Sequence, residues 1–153
     1  METVIKHYNE LSADELYEIL KLRVNVFVVE QNCPYPELDD KDKNAYHVYM
    51  RDENGIFAYL RVLDRGVAYP EVAIGRVIST RRRMGIGTLI LKQGIRVAID
   101  KFSADKIVIS AQLYAKGLYE GVGFVQISDE YLEDDIPHAK MELSCAEFIK
   151  GDK

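Results

Sequence analysis

One segment of this chain leaves little freedom in what it can build: Ile78-Ser79-Thr80-Arg81-Arg82-Arg83-Met84-Gly85-Ile86-Gly87-Thr88-Leu89-Ile90-Leu91. A strand-like apolar run passes through a basic, glycine-containing turn into an amphipathic helix. The first N–H groups of a helix lack intrahelical acceptors and sit at the positive end of its dipole, so a turn of this kind receives an anion, a phosphate above all. Gly85 and Gly87 remove Cβ atoms that would hold a ligand away, and they permit backbone angles other residues avoid. Three arginines add charge beside the turn. The arrangement points to a cofactor that carries a diphosphate.

Spacing separates the nucleotide-binding patterns that compete for this turn. A P-loop ends in Gly-Lys-Ser/Thr, whereas Gly87 is followed by Thr88. The dinucleotide fingerprint needs a third glycine where Ile90 stands, and an acidic residue closing the next strand; Asp105 precedes the strand starting at Lys106 instead. A third pattern, Arg/Gln-x-x-Gly-x-Gly/Ala, is met by Arg82, Gly85 and Gly87. It resembles the acetyl-CoA loop of the GCN5-related N-acetyltransferases, the GNAT family. Taken alone, six residues are also compatible with a solvated basic loop.

A second signature follows in the expected order. After the strand ending at Ser110 comes Ala111-Gln112-Leu113-Tyr114-Ala115-Lys116-Gly117-Leu118-Tyr119-Glu120-Gly121-Val122-Gly123-Phe124. It is similar to the family's short helix carrying a tyrosine general acid, here Tyr119, followed by a Gly-Phe pair that leads into the next strand. Farther toward the N-terminus, the run Leu22 to Asp40 and His47 resemble the ElaA-like members, as does the later Ile136-Pro137-His138-Ala139-Lys140-Met141 stretch. The resemblance then spans nearly the whole chain and implies a reaction type without a substrate.

Length and composition fit a single α/β domain over residues 1–153. A chain of this size can bury a real core, and 48% of its residues are apolar. No stretch is long and uncharged enough to span a bilayer, and Met1-Glu2-Thr3-Val4 does not open a signal peptide, so a cytoplasmic protein without a membrane partner is expected. Cys33 and Cys145 have no partner at ligand spacing, which indicates neither a zinc site nor a disulfide framework. Net charge is −5 despite the arginines, which argues against a nucleic-acid partner. Acidic runs at Glu37 to Asp42 and Asp129 to Asp135 read either as solvated loops or as attractors for a cationic acceptor.

Along the chain, Thr3 to Tyr8 alternates as a strand, and Ser12-x-x-Glu15 caps a helix running to about Val26. Pro34 and Pro36 enforce a loop, and Tyr46 to Arg51 pairs with Ile56 to Leu63 around Asn54-Gly55. Val72 to Ser79 is the strand before the basic turn, and Gly85 to Lys101 is a helix packed on the sheet. Lys106 to Ser110, Gly123 to Ser128 and Ala139 to Ser144 complete a mixed central sheet. By resemblance this is the GNAT fold, with about six to seven strands flanked by helices.

Acyl transfer from a thioester to an amine needs a held donor, an uncharged amine, a polarised carbonyl and a proton for the leaving thiolate. The resemblance implies that Arg82, Arg83, Met84, Gly85, Ile86, Gly87 and Thr88 hold the acetyl-CoA pyrophosphate. It also implies that the main chain at Val77, Ile78 and Ser79 pairs with the pantetheine arm and polarises the carbonyl. Tyr119 suits the acid because its phenol is neutral at working pH, with core packing as the other reading. Glu37, Glu30 and His138 are candidate bases in that order; His47 and His138 also read as hydrogen-bonded structural histidines. Arg23, Glu30, Tyr35 and Asp39 are candidate substrate contacts. Arg23 reads equally as an ion pair fixing the helix to its following loop, and Phe27 reads as core.

The expected protein is thus an acetyl-CoA-dependent N-acetyltransferase that acts on a small primary amine by direct attack in a ternary complex. A non-catalytic acyl-CoA-binding or sensing protein is the alternative. Neither cysteine falls in the two motifs, which disfavours a covalent acetyl-enzyme, although Cys33 near the acceptor loop leaves it open. The family resemblance also allows a homodimer, for which no residue marks an interface.

Overall fold

The capping box forms as expected: Glu15 N–H donates to Ser12 Oγ at 3.1 Å and Ser12 N–H to Glu15 Oε1 at 2.9 Å. In the computed structural model, which describes residues 1–81 and 84–151, a first strand β1 (Glu2–His7) precedes this cap, and helix α1 (Ala13–Arg23) follows it. The helical course does not stop near Val26. It widens into a π-helix over Val24–Glu30, where Val24, Val26, Val28 and Val29 supply four β-branched side chains that pack poorly on an α-helical turn.

Strands β2 (Ala45–Asp52) and β3 (Gly55–Leu63) form the Asn-Gly hairpin, with Gly55 at φ +106°. Then come β4 (Val72–Ser79), the long helix α2 (Ile86–Phe102), β5 (Lys106–Gln112) and helix α3 (Lys116–Val122). The chain closes with β6 (Val125–Gln126), β7 (Tyr131–Glu133), β8 (Ile136–Ser144) and α4 (Cys145–Gly151).

The strands join one sheet in the order β1-β2-β3-β4-β5-β8-β6, with β7 also on β8. All pairs are antiparallel except β4 with β5, which α2 connects. Eight strands rather than six or seven arise because the acidic run from Asp129 folds into β7 and a tight turn. Asp134 and Asp135 both take positive φ there, 50° and 63°, the pattern of a two-residue hairpin turn. β6 is shorter than expected because Ser128 Oγ accepts the Lys140 N–H at 2.9 Å, in place of a backbone carbonyl. Helix α4 is an element beyond those the sequence pattern predicts.

One face of the sheet packs on α2. Val48, Leu60 and Val62 meet Ile90, Leu91 and Ile95, and a Cβ added at Gly94 would lie 2.7 Å from Leu60. On the other face Ile19 of α1 covers Tyr49, Tyr59 and Ile78. No helix among the described residues is long and apolar enough to cross a membrane.

Candidate active site

β4 and β5 start as neighbours and then part. Their ladder holds only Val72 with Ile107 and Ala73 with Val108, so from Ile74 to Ser79 the β5-facing edge of β4 has no strand partner. A bulge contributes to the parting. Between Tyr59↔Ile78 and Arg61↔Gly75, β4 uses one residue more than β3, and Arg76 there takes φ +55°. The wedge opens into a cavity of about 480 Å³, lined by Val77 and Ser79 on one side and Ile109, Ser110 and Gln112 on the other.

The N-terminus of α2 borders the same cavity through Gly85, Ile86, Gly87 and Thr88. Leu89 N–H donates to the Gly85 carbonyl at 3.1 Å, so the amides of Ile86, Gly87 and Thr88 precede the helical ladder and are available to an anion. The two glycines divide the task differently from expectation. Gly85 is the cap residue at φ +70°, a conformation that costs other residues. A Cβ at Gly87 would instead press on Leu118 of α3 at 3.3 Å. Arg81 is tied to Asp52 and lies 3.8 Å over the Phe57 ring. Met84 is exposed, Ile78 points to the opposite face of the sheet, and Arg82 and Arg83 lie outside the described residues.

Tyr119 of α3 is 8% exposed, stands edge-on to Phe124 at 5.9 Å and lines the cavity. Burial, with a smaller effect of Tyr114, raises its phenol, which therefore holds its proton at neutral pH. His138 also lines the cavity. Its Nδ1 lies 2.6 Å from the Ile136 carbonyl and its Nε2 3.4 Å from Glu133 Oε2.

The other candidates separate. Tyr35 and Phe27 line the cavity, and Tyr35 donates to Glu37 Oε1 at 3.2 Å. Glu37 does not. Its carboxylate is buried between Arg23 Nη2 at 2.7 Å and Arg76 Nε at 2.6 Å, so both its oxygens are committed to guanidiniums and neither is offered to an amine. Arg23 is fully buried and pairs also with Asp42 at 2.6 Å, the ion-pair reading and not the substrate one. Asp39 pairs with Arg61 at 2.6 Å and Arg76 at 3.4 Å. Glu30, at the exposed end of the π-helix, is not part of the lining. Three guanidiniums and three carboxylates thus form one neutral, largely buried block that reaches the cavity wall at Arg76. Burial would raise the Asp39 and Asp42 carboxyls, and the arginines overturn it, holding both below the ordinary range. His47 completes the block through Tyr59 at 2.7 Å and the Asp42 carbonyl at 3.0 Å, and its burial depresses its pKa.

The sequence and fold that build this wedge are matched among known proteins. A model described as an acetyltransferase (GNAT) domain covers residues 9–145. The chain belongs to the GNAT family. A UPF0039 protein of Schizosaccharomyces pombe is 44% identical over 94% of this chain and 97% of its own length. The structure of an acyl-CoA N-acyltransferase from Pseudomonas aeruginosa is 36% identical, with a TM-score of 0.87 over 94% of this chain and all of that one. ElaA of Escherichia coli reaches the same TM-score at 32% identity, again over 94% of this chain and all of that one. Together these make the protein an ElaA-like GNAT acyltransferase, and its mixed sheet with flanking helices is the GNAT fold.

Residues outside the two motifs complete the cavity. Gln31 and Gln112, both lining it, exchange amide hydrogen bonds at 3.2 and 3.3 Å, and Cys33 Sγ donates to the Asp134 carbonyl at 3.3 Å. Gly75-Arg76 breaks an otherwise apolar strand, a signal that could have disclosed the bulge. The partners of Arg23 lie 14 and 19 residues away in a charged loop, with nothing local to mark them.

Proposed function

We propose that residues 1–153 form one catalytic domain that moves an acetyl group from acetyl-CoA to a primary amine by direct attack in a ternary complex. The observation that carries this reading is the bare edge of β4, which runs toward the free amides of α2 with Tyr119 in the same cavity. The residues present fit the donor: Ile86, Gly87 and Thr88 amides for the diphosphate, and the Val77 to Ser79 main chain for the amide-bearing arm. When bound, acetyl-CoA supplies an activated acyl carbon.

Tyr119 then serves as the acid. Burial keeps its phenol protonated at neutral pH, so a proton is at hand for the departing thiolate, and the same burial excludes water from the site. Of the three candidates read as bases, Glu37 is committed to arginines and Glu30 lies off the cavity, so only His138 stands where it could act on an acceptor, directly or through a neighbouring group. Tyr35 and Phe27 would face the acceptor. Cys33 already donates to a carbonyl, an arrangement that favours direct transfer over a cysteine-bound acyl group.

The test is calorimetric titration with acetyl-CoA and with CoA, repeated on Thr88→Glu. A carboxylate in the first turn suits the helix dipole, so the variant folds, but it repels a diphosphate from the same amides. Saturable binding by the wild type that is lost in Thr88→Glu is expected. No binding by the wild type overturns the reading.

A further inference from the structure

The β7–β8 hairpin carries a carboxylate into the cavity that neither signature motif contains. Glu133 ends β7, and its two oxygens have separate partners. Ser110 Oγ donates to Oε1 at 3.3 Å, and His138 Nε2 lies 3.4 Å from Oε2. The Ser110 hydroxyl is also 2.5 Å from the Tyr131 hydroxyl. Ser110, Glu133 and His138 all line the cavity that holds Tyr119.

The histidine is built to serve that carboxylate. Its side chain is 7% exposed and its ring stacks on Tyr131 with centroids 6.2 Å apart. A carbonyl only accepts, so Nδ1, 2.6 Å from Ile136 O, carries a proton. Nε2 is thereby turned toward Glu133 Oε2 at 3.4 Å, and the ring is held beside that oxygen. The carboxylate keeps a fixed orientation while remaining half open to solvent, at 49% exposure. The other groups around it are the phenols of Tyr131 and Tyr69, the Asp134 carboxylate at the turn, and Lys140 over the Tyr69 ring at 4.6 Å. Glu37, the first of the candidate bases read from the sequence, has no such freedom.

Resting on the acyl-transfer reading above, we infer that Glu133 is the residue that accepts the proton of the attacking amine, with His138 as its positioning partner. Glu133 takes a proton from the ammonium form of the amine and releases it to water past its half-exposed side chain. The neutral nitrogen then bonds to the thioester carbon and the carbon–sulfur bond breaks. The thiolate takes a proton from Tyr119, which regains one from the acylated nitrogen, so ammonium and thioester become amide, thiol and one proton in solvent.

The need is large for ordinary amines. With a pKa near that of lysine, roughly 10.4, only about one molecule in a thousand is neutral at pH 7.5. The experiment compares wild type, Glu133→Gln and His138→Asn by thiol release from acetyl-CoA, using primary alkylamines each paired with a β,β,β-trifluorinated counterpart already neutral at pH 7.5. Glu133→Gln is expected to lower kcat/KM for the alkylamines on the order of 100-fold and for the fluorinated amines by only about 3-fold. His138→Asn should show the same split at smaller size, and calorimetric affinity for acetyl-CoA should stay within about two-fold in both variants. Equal losses for both amine classes, or no loss, overturn the assignment while leaving acyl transfer intact. Wild-type protein that binds acetyl-CoA yet acylates no amine in the panel overturns the amine-acceptor reading and this inference with it.

Discussion

The two sides of the cavity are made of different materials. On the side proposed for the donor the exposed groups are backbone: the bare edge of β4 and the first amides of α2. On the side proposed for the acceptor they are side chains from three separate segments: Tyr35 and Gln31 after the π-helix, Gln112 at the end of β5, Glu133 and His138 on the hairpin. A backbone site is specified by where a chain turns, so a glycine at the right position suffices. A side-chain site is specified by which segments meet, and depends on the block of Arg23, Glu37, Asp39, Asp42, Arg61 and Arg76 that fixes the 37–42 loop against β3 and β4.

If the two sides are separable, variants should damage one and spare the other. The largest effect is expected at their junction: Tyr119→Phe should lower turnover by about 100-fold to 10,000-fold while acetyl-CoA affinity measured by calorimetry stays within about two-fold. Arg23→Met leaves buried carboxylates without their cation and should cost about 3–5 kcal/mol in urea unfolding, yet change acetyl-CoA affinity only a few-fold. A large loss of affinity in that variant would mean that the acceptor-side block also sets the donor edge, through Arg76 at the bulge.

Acid should attack the same block. The folded-state pKa of His47 is depressed, so below about 6.5 the unfolded chain takes up a proton that the folded chain refuses, and stability begins to fall there. Asp39 and Asp42 are also depressed, so their contribution is complete above about pH 4 and is lost as pH falls further. Glu15 follows over the same range down to about 2, held low by the Ser12 amide and by the Tyr49 hydroxyl. Thermal melts from pH 8 to pH 3 should therefore decline in two stages, and a flat curve to pH 4 would remove His47 from the account. The smallest effect belongs to Cys33→Ala, for which turnover should stay within about three-fold if transfer is direct.

Legibility in the sequence follows the same division. Ser12, Asn54-Gly55 and Gly85 act through their own backbone or that of the next few residues, so their elements could be placed closely. Glu37 and Asp39 stand in an acidic run and could equally have faced solvent, substrate or arginine, because the choice is made by Arg23, Arg61 and Arg76 from other elements. Glu133 is indistinct for a related reason. The segment around it looks like a solvated charged loop until Asp134 and Asp135 turn it back along β8, a pairing set by residues distant from the motifs.

The parted strands have one more consequence. A sheet with a vacant position between β4 and β5 is incomplete, and a donor laid along β4 would act as its missing strand. Under the proposed reading, folding and ligand supply are then linked by mass action. Donor at about a hundred times its dissociation constant would add about 2.7 kcal/mol to the folded state. The lifetime of this protein in a cell would then follow how much acyl donor that cell has to spare.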